Sequence, residues 1–346
     1  MRRERTLSSR NHHEGDPAGI LSAVGGTPLV RLERVLPDAE FAVHAKLEAL
    51  NPGGSIKDRP ATAIVSHAVR NGLVIPGKTV VVESSSGNFA VGLAQACRYY
   101  GIDLICVVDP AATPQNLAIL QAFGARVDLV GSPDPVTGDF LTARRARVQQ
   151  ILAELPHAFW PNQYGSLLNP ATHLATIQEV MEELDGPLDY LFCAVSTFGT
   201  LRGCAEYVRD RGLPTKVIAV DAVGSAIFGM PPHNRLIPGH GASVRPELFA
   251  PDLADDVVHI TDQECVTACR RLVHHEAYLA GGSSGAVLAA LLKYTPHIPA
   301  GANCVLIMPD RGERYLHSIY SDAWVMEHFG TLPDVALPPI ELTVGG

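Results

Sequence analysis

The sequence predicts an α/β protein with parallel sheets, and three observations carry that expectation. Short apolar strands alternate with amphipathic helices almost throughout, which is the rhythm of strand–helix–strand crossovers. The chain has 346 residues, enough for two domains or for one with a large insertion. Its composition is globular, 47% hydrophobic and 18% charged, with 31 glycines and 26 prolines to break it into many loops.

The elements follow in order. Residues 79–83 read as a strand and 89–100 as the helix after it. Residues 104–108 are a second strand. Thr113 then reads as an N-cap with Pro114 at the first helical position, and Gly124 closes that helix. Residues 126–130 are a third strand and 140–155 a helix with a basic face. The block 47–155 is therefore a compact unit with a three-strand rhythm.

A second series begins with a strand at 190–195, a loop at 196–200 and a helix to about residue 211. Residues 216–220 are a strand. The Gly- and Pro-rich stretch 224–256 has little periodicity and reads as a long functional loop or lid. A capping box of Thr261 and Glu264 opens a helix over 261–277. Residues 302–308 and 314–328 read as a last strand and helix.

Charge and cysteine usage narrow the function classes. A formal net charge of −9 with no basic stripe excludes a nucleic-acid backbone as partner. Residues 1–19 are polar and lack the apolar core of a signal peptide, and no later stretch is long enough to span a membrane. They read as the leader of a cytoplasmic protein. The seven cysteines sit mostly inside apolar runs and read as reduced core thiols. Cys265 and Cys269 could share a helix face but lack His partners for a metal site, and His12-His13 and His274-His275 lack metal-ligand spacing.

Three stretches carry chemistry. Lys57 follows two glycines in Asn51-Pro52-Gly53-Gly54-Ser55-Ile56-Lys57 and opens an alanine-rich helix. A lysine that forms a Schiff base must be partly desolvated, so that its amine attacks in neutral form. The loop Ser196-Thr197-Phe198-Gly199-Thr200 lies at the mouth of a helix, where backbone N–H groups and the helix dipole suit a phosphate. Alone it fits an ordinary strand-to-helix turn equally well. Ser84-Ser85-Ser86-Gly87-Asn88 follows a strand. Lysine, Asn-bearing loop and phosphate cradle together suggest a pyridoxal-phosphate enzyme. A rival is Gly281-Gly282-Ser283-Ser284-Gly285, which fits the nucleophile elbow of a hydrolase, with Asp310 and His317 following in the right order. That reading leaves Lys57 and the Asn88 loop without a role.

These residues match a family. Gly54-Ser55-Ile56-Lys57-Asp58-Arg59 resembles the cofactor-lysine motif of the cysteine synthase family, the β-replacement branch of fold-type II pyridoxal-phosphate enzymes. Ser85-Ser86-Gly87-Asn88 is similar to its Thr-Ser-Gly-Asn substrate loop. Asn162-Gln163-Tyr164, Ala280-Gly281-Gly282-Ser283-Ser284-Gly285 and Pro309-Asp310-Arg311-Gly312-Glu313-Arg314-Tyr315 fall in the family's order, and the resemblance covers about residues 20–325. It implies two domains, each a mainly parallel sheet flanked by helices. The smaller, mobile domain would take 47–155, and the larger, cofactor-binding one 20–46 plus 156–330. A Pro-rich tail at 331–346 follows, and a homodimer is implied.

Carried over, the resemblance makes Lys57 the lysine in imine linkage with pyridoxal 5'-phosphate. Asn88 would bond the cofactor's ring hydroxyl, residues 196–200 would hold its phosphate, and Ser283 would face the pyridine nitrogen. A hydroxyl in that place implies a largely unprotonated nitrogen and a weaker electron sink. Ser85, Ser86, Gly87 and Gln163 would clamp the amino-acid carboxylate. Ser196 and Phe198 stand where the family has glycines, and Tyr164 where it has Phe. Two added hydroxyls imply a nucleophile larger and more polar than sulfide.

One subgroup shares these details, the siderophore-pathway enzymes that condense O-phospho-L-serine with L-glutamate. The likeness lies in Val195-Ser196-Thr197, Asp221-Ala222-Val223-Gly224-Ser225, Pro238-Gly239-His240-Gly241-Ala242-Ser243 and Pro309-Asp310-Arg311-Gly312. The product would be N-(2-amino-2-carboxyethyl)-L-glutamate, a precursor of 2,3-diaminopropionate, formed through an aminoacrylate. Arg144 would anchor an anionic substrate, with Arg145 and Arg147 on the solvated face. A cysteine synthase using O-acetylserine or O-phosphoserine with sulfide is the alternative.

Overall fold

The computed structural model describes residues 17–231 and 233–335. Residues 1–16 of the leader and 336–346 of the tail lie outside the described residues.

Two sheets organise the chain. β1 (Leu29–Leu32) and β2 (Ala42–Leu47) pair antiparallel, and α1 (Asp58–Arg70) starts directly after Lys57. β3 (Val80–Glu83), α2 (Asn88–Tyr100), β4 (Asp103–Val108), α3 (Pro114–Ala122) and β5 (Arg126–Leu129) form two successive crossovers. α4 (Phe140–Glu154) leads to β6 (Ala158–Phe159), which pairs with β3 and completes a parallel sheet of order β5-β4-β3-β6. Three of these strands were legible. β6 is only two residues long and carries the sheet just past residue 155.

The second sheet draws on both ends of the chain. α5 (Leu168–Glu183), β7 (Tyr190–Ala194), α6 (Gly199–Asp210) and β8 (Lys216–Ala222) come first. After a long loop follow β9 (Asp256–Ile260), α7 (Asp262–Glu276), α8 (Gly282–Tyr294), β10 (Asn303–Met308) and α9 (Asp322–Phe329). The order is β1-β2-β10-β7-β8-β9, parallel at every pairing except β1 with β2.

Local chemistry explains several boundaries. Thr113 Oγ1 accepts from Asn116 N at 3.3 Å with Pro114 in the first turn, and the Thr261/Glu264 capping box is formed. The helix expected over 314–328 is a correction. A short turn at Gly312–Tyr315 stands apart from α9, because Ser321 Oγ caps a new start by accepting from Trp324 N at 3.3 Å. The loop expected over 224–256 ends in the edge strand β9.

Both sheets are covered on both faces, which is why inner strands such as β4, β7 and β10 read as nearly unbroken apolar runs. α7 and α8 pack on one face of the larger sheet, and α5 and α6 on the other. α1, α2 and α3 cover one face of the smaller sheet and α4 the other. All seven cysteines are buried free thiols. Among the described residues no helix is long and apolar enough to cross a membrane.

Candidate active site

Lys57 is placed by the residues beside it. Arg59, in the first turn of α1, pairs with Glu48 at 2.7 Å and Glu179 at 2.6 Å, and Lys46 reaches Glu179 at 2.8 Å. A buried ionic cluster of this kind adds little net stability, but its geometry is demanding and it fixes the start of the helix. Asp58 accepts from Gly53 N at 2.5 Å, folding the glycine loop back. Gly54 has φ +87°, and a Cβ there would stand 2.5 Å from Arg311 Nε.

The Lys57 amine faces a cavity of about 180 Å³. No carboxylate lies within ion-pair distance of it among the described residues. Burial pulls its pKa down to about 8, with Asp310 and Glu48 pulling the other way. A sizeable share of the amine is therefore neutral near physiological pH, as a nucleophilic lysine requires.

Residues 196–200 line a narrower recess shared with Lys57 and Gly239. α6 starts at its mouth, so the first backbone N–H groups of that helix have no intrahelical acceptor. Phe198 sits at φ +70°, a conformation that costs about 1–2 kcal/mol in a non-glycine residue. Its ring packs 5.1 Å from Phe249 and 6.0 Å from Phe228, so its side chain ties down the long loop and only its backbone serves the recess. The hydroxyls are held from behind. Asn169 Nδ2 donates to Thr197 Oγ1 at 3.1 Å, and Thr200 Oγ1 lies 3.3 Å from His173 Nε2. Burial holds His173 well below its usual pKa, hence neutral. A Cβ at Gly199 would stand 2.1 Å from Asn169 Oδ1.

Asn88, at the start of α2, is gripped at both ends of its amide. Nδ2 donates to Asp310 Oδ2 at 2.8 Å, and Arg314 Nη1 donates to Oδ1. Ser283, in the first turn of α8, donates to Asp310 Oδ1 at 3.4 Å, and Tyr315 donates to Oδ2 at 2.6 Å. Burial pushes the Asp310 carboxyl up, and Tyr315, Asn88, Arg314 and Lys57 oppose that. The hydrolase reading fails here, because Ser283 meets the carboxyl directly and His317 is exposed.

The remaining wall comes from loops at the smaller sheet. Ser85, Ser86, Gly87, Gln163 and Tyr164 line the cavity with Lys57, Asn88 and Ser283. Behind them Glu83 accepts from Ser84 N at 2.8 Å, Trp160 Nε1 at 3.1 Å and Gln163 N at 3.4 Å, tying the two loops together. Burial pushes its carboxyl up to about 7. The Tyr164 hydroxyl is raised by burial and lowered by Arg144, by a hydrogen bond with Ser196 and by Arg235.

The sequence-derived residues thus meet, with one exception. Arg144 is absent from the cavity lining and pairs with Asp109 at 3.2 Å, so its charge reaches the site through Tyr164. Arg145 and Arg147 pair with Glu247 and Asp128 near the surface. Missed at the sequence level were Asp310, Arg314, Tyr315 and Asn169. The first three lay in a motif already singled out.

The donor set fits pyridoxal 5'-phosphate. A partly neutral lysine amine stands beside the first turn of α6, where the Gly199 N–H reaches only Thr197 Oγ1 at 3.4 Å, and Asn169 packed behind that turn leaves no room for a side chain at Gly199. The chain matches the model of the family described as pyridoxal-phosphate dependent enzyme over residues 20–310. It is similar to the crystal structure of an O-ureido-L-serine synthase, with a TM-score of 0.80 and 27% identity over 91% of this chain and 96% of that one. A hydrogen sulfide-producing enzyme from Fusobacterium nucleatum gives 0.80 and 28%, over 87% of this chain and 100% of the other. An O-acetylserine dependent cystathionine beta-synthase from Helicobacter pylori gives 0.80 and 29%, over 87% and 98%.

Proposed function

The chain belongs to the family of pyridoxal-phosphate dependent enzymes, in its β-replacement group, and from that premise we propose which two substrates it joins. It condenses O-phospho-L-serine with L-glutamate, giving N-(2-amino-2-carboxyethyl)-L-glutamate and phosphate. The observation that carries this reading is the pair Tyr164 and Ser196. Their hydroxyls meet where relatives of the cysteine synthase kind have Phe and Gly, and the charges of Arg144 and Arg235 act on that spot. Such a pocket suits an anionic amine better than sulfide.

When bound, the cofactor supplies the electron sink that lets an amino acid lose its α-proton. Lys57 carries the cofactor, and its amine takes that proton and later returns it to the α-carbon. The recess at 196–200 holds the cofactor phosphate, and Asn88 and Ser283 orient its ring. Ser85, Ser86 and Gln163 hold the substrate carboxylate through neutral donors. Phosphate departs from the β-carbon, and the glutamate amine bonds there and sheds a proton. Closure of the block 47–155 keeps water from competing for that carbon. The enzyme works as a cytoplasmic homodimer supplying 2,3-diaminopropionate for a siderophore or an antibiotic.

The test is a product assay by mass spectrometry on the cofactor-loaded protein. O-phospho-L-serine is offered with L-glutamate in one tube and with sulfide in another. The glutamate adduct is expected to dominate. Cysteine without adduct would make the chain a cysteine synthase.

A further inference from the structure

Glu83 takes no part in the scheme above, yet two loops of the site hang on it. It is the last residue of β3, which lies between β4 and β6 in the smaller sheet. The loops that follow β3 and β6 leave that sheet side by side, and they carry Ser85, Ser86, Gln163 and Tyr164 to the cavity. Glu83 itself is buried. Oε1 accepts from Ser84 N at 2.8 Å and Trp160 Nε1 at 3.1 Å, and Oε2 accepts from Gln163 N at 3.4 Å. The Asn162 N–H stabilises the same charge. Asn162 sits at φ +47°, a left-handed turn that brings two successive N–H groups to one carboxyl.

We propose that Glu83 is a positioning residue for the substrate's carboxylate: its negative charge gathers the two loops and so sets the spacing of Ser85, Ser86 and Gln163. The proposal rests on the reading of those three as the carboxylate site. All four partners of Glu83 are N–H groups, which only donate, so the direction of these bonds is fixed. A carboxylate offers about four lone-pair sites, and four donors fill them. A proton on Glu83, or an amide in its place, must release at least one donor. Each donor belongs to a loop that lines the cavity or leads into it, so the loss is felt where substrate binds.

Glu83 also repels an incoming carboxylate, and a charge that did only this would be better replaced by a neutral group. Its four N–H partners are turned toward it and offset that repulsion, so positioning governs. The sign of a neutral substitution separates the two roles. Burial pushes the Glu83 carboxyl up to about 7, so the gathering charge is complete above that pH and is lost as pH falls through it. The titratable groups facing Glu83 are Cys106 on β4 and Tyr164, both kept neutral by burial. The cations of α4, Arg144, Arg145 and Arg147, are held by Asp109, Glu247 and Asp128.

The test is the affinity of the cofactor-loaded protein for L-alanine, which has the carboxylate but no leaving group, read from the shift of the imine absorption band between pH 6 and pH 8. Glu83→Gln keeps the size of the side chain and removes its charge. At pH 8 it is expected to weaken binding about tenfold or more. The difference is expected to narrow at pH 6, where wild-type Glu83 is largely protonated. Lys57 and the ligand's own amine titrate in both proteins and cancel in the comparison. Equal or tighter binding by the variant at pH 8 overturns the proposal, as does a difference just as large at pH 6. Should Glu83→Gln fail to fold, Trp160→Phe decides, because it removes one donor from Oε1. It is expected to weaken binding and to raise the pH at which affinity falls, and a profile identical to wild type overturns the proposal. Wild-type protein whose band L-alanine leaves in place overturns it together with the reading of the carboxylate site.

Discussion

The two walls of the cavity are built by different means. On the cofactor side the polar side chains around the Lys57 amine are already engaged by the chain: Thr197 by Asn169, Thr200 by His173, Ser283 by Asp310, Asn88 by Asp310 and Arg314. On the substrate side Ser85, Ser86 and the Gln163 amide have no intrachain partner among the described residues. A wall whose donors are pinned from behind suits one permanent occupant held in one pose. A wall with free neutral donors suits occupants that come and go, because each departure returns those donors to water rather than stranding them.

Substitutions that break the first wall should therefore damage every reaction, and those on the second should change which reaction is favoured. Lys57→Ala should have the largest effect. Turnover with any nucleophile should fall by about 10²–10⁴-fold or more, with loss of the imine absorption band, and full activity would refute the assignment. Gly199→Ala forces a Cβ to 2.1 Å from Asn169 Oδ1. It should cost about 1–3 kcal/mol of stability by urea unfolding and weaken cofactor retention equally for all substrates.

The amine of Lys57 makes the first wall pH-sensitive. Its pKa is lowered to about 8, so the reactive neutral form grows as pH rises toward 8. Stopped-flow uptake of cofactor by the apoprotein should speed up about tenfold per pH unit below 8 and level off above it. A flat profile between pH 6 and 8 would place the amine outside this environment.

Tyr164→Phe, on the second wall, should have the smallest effect. Loss of one hydrogen bond, about 0.5–1.5 kcal/mol, should cut the glutamate reaction by up to about tenfold and leave the sulfide reaction unchanged. Equal losses in both would erase the distinction between the walls.

Where the determinants are local, the sequence was legible. Thr113 with Pro114, the Thr261/Glu264 box and the lysine and Asn88 loops each declare themselves within a few residues, and the structure forms the capped helices. What escaped depends on distant partners. β6 is a strand only because β3 lies beside it. The break before α9 hangs on the Ser321 cap inside an otherwise helical pattern. Arg144 looked like a free cation until Asp109, 35 residues earlier, came into contact with it. Asp310 was visible in a motif, but its meeting with Asn88 and Ser283 spans 222 and 27 residues, which periodicity does not report.

The most direct test of the division between the walls is one competition experiment. Wild-type protein and the Tyr164→Phe variant are given O-phospho-L-serine with glutamate and sulfide together, and both products are counted by mass spectrometry. The account predicts mainly glutamate adduct from the wild type and a shift toward cysteine in the variant, with cofactor content unchanged. An unchanged product ratio, or a variant that has lost its cofactor, would contradict it.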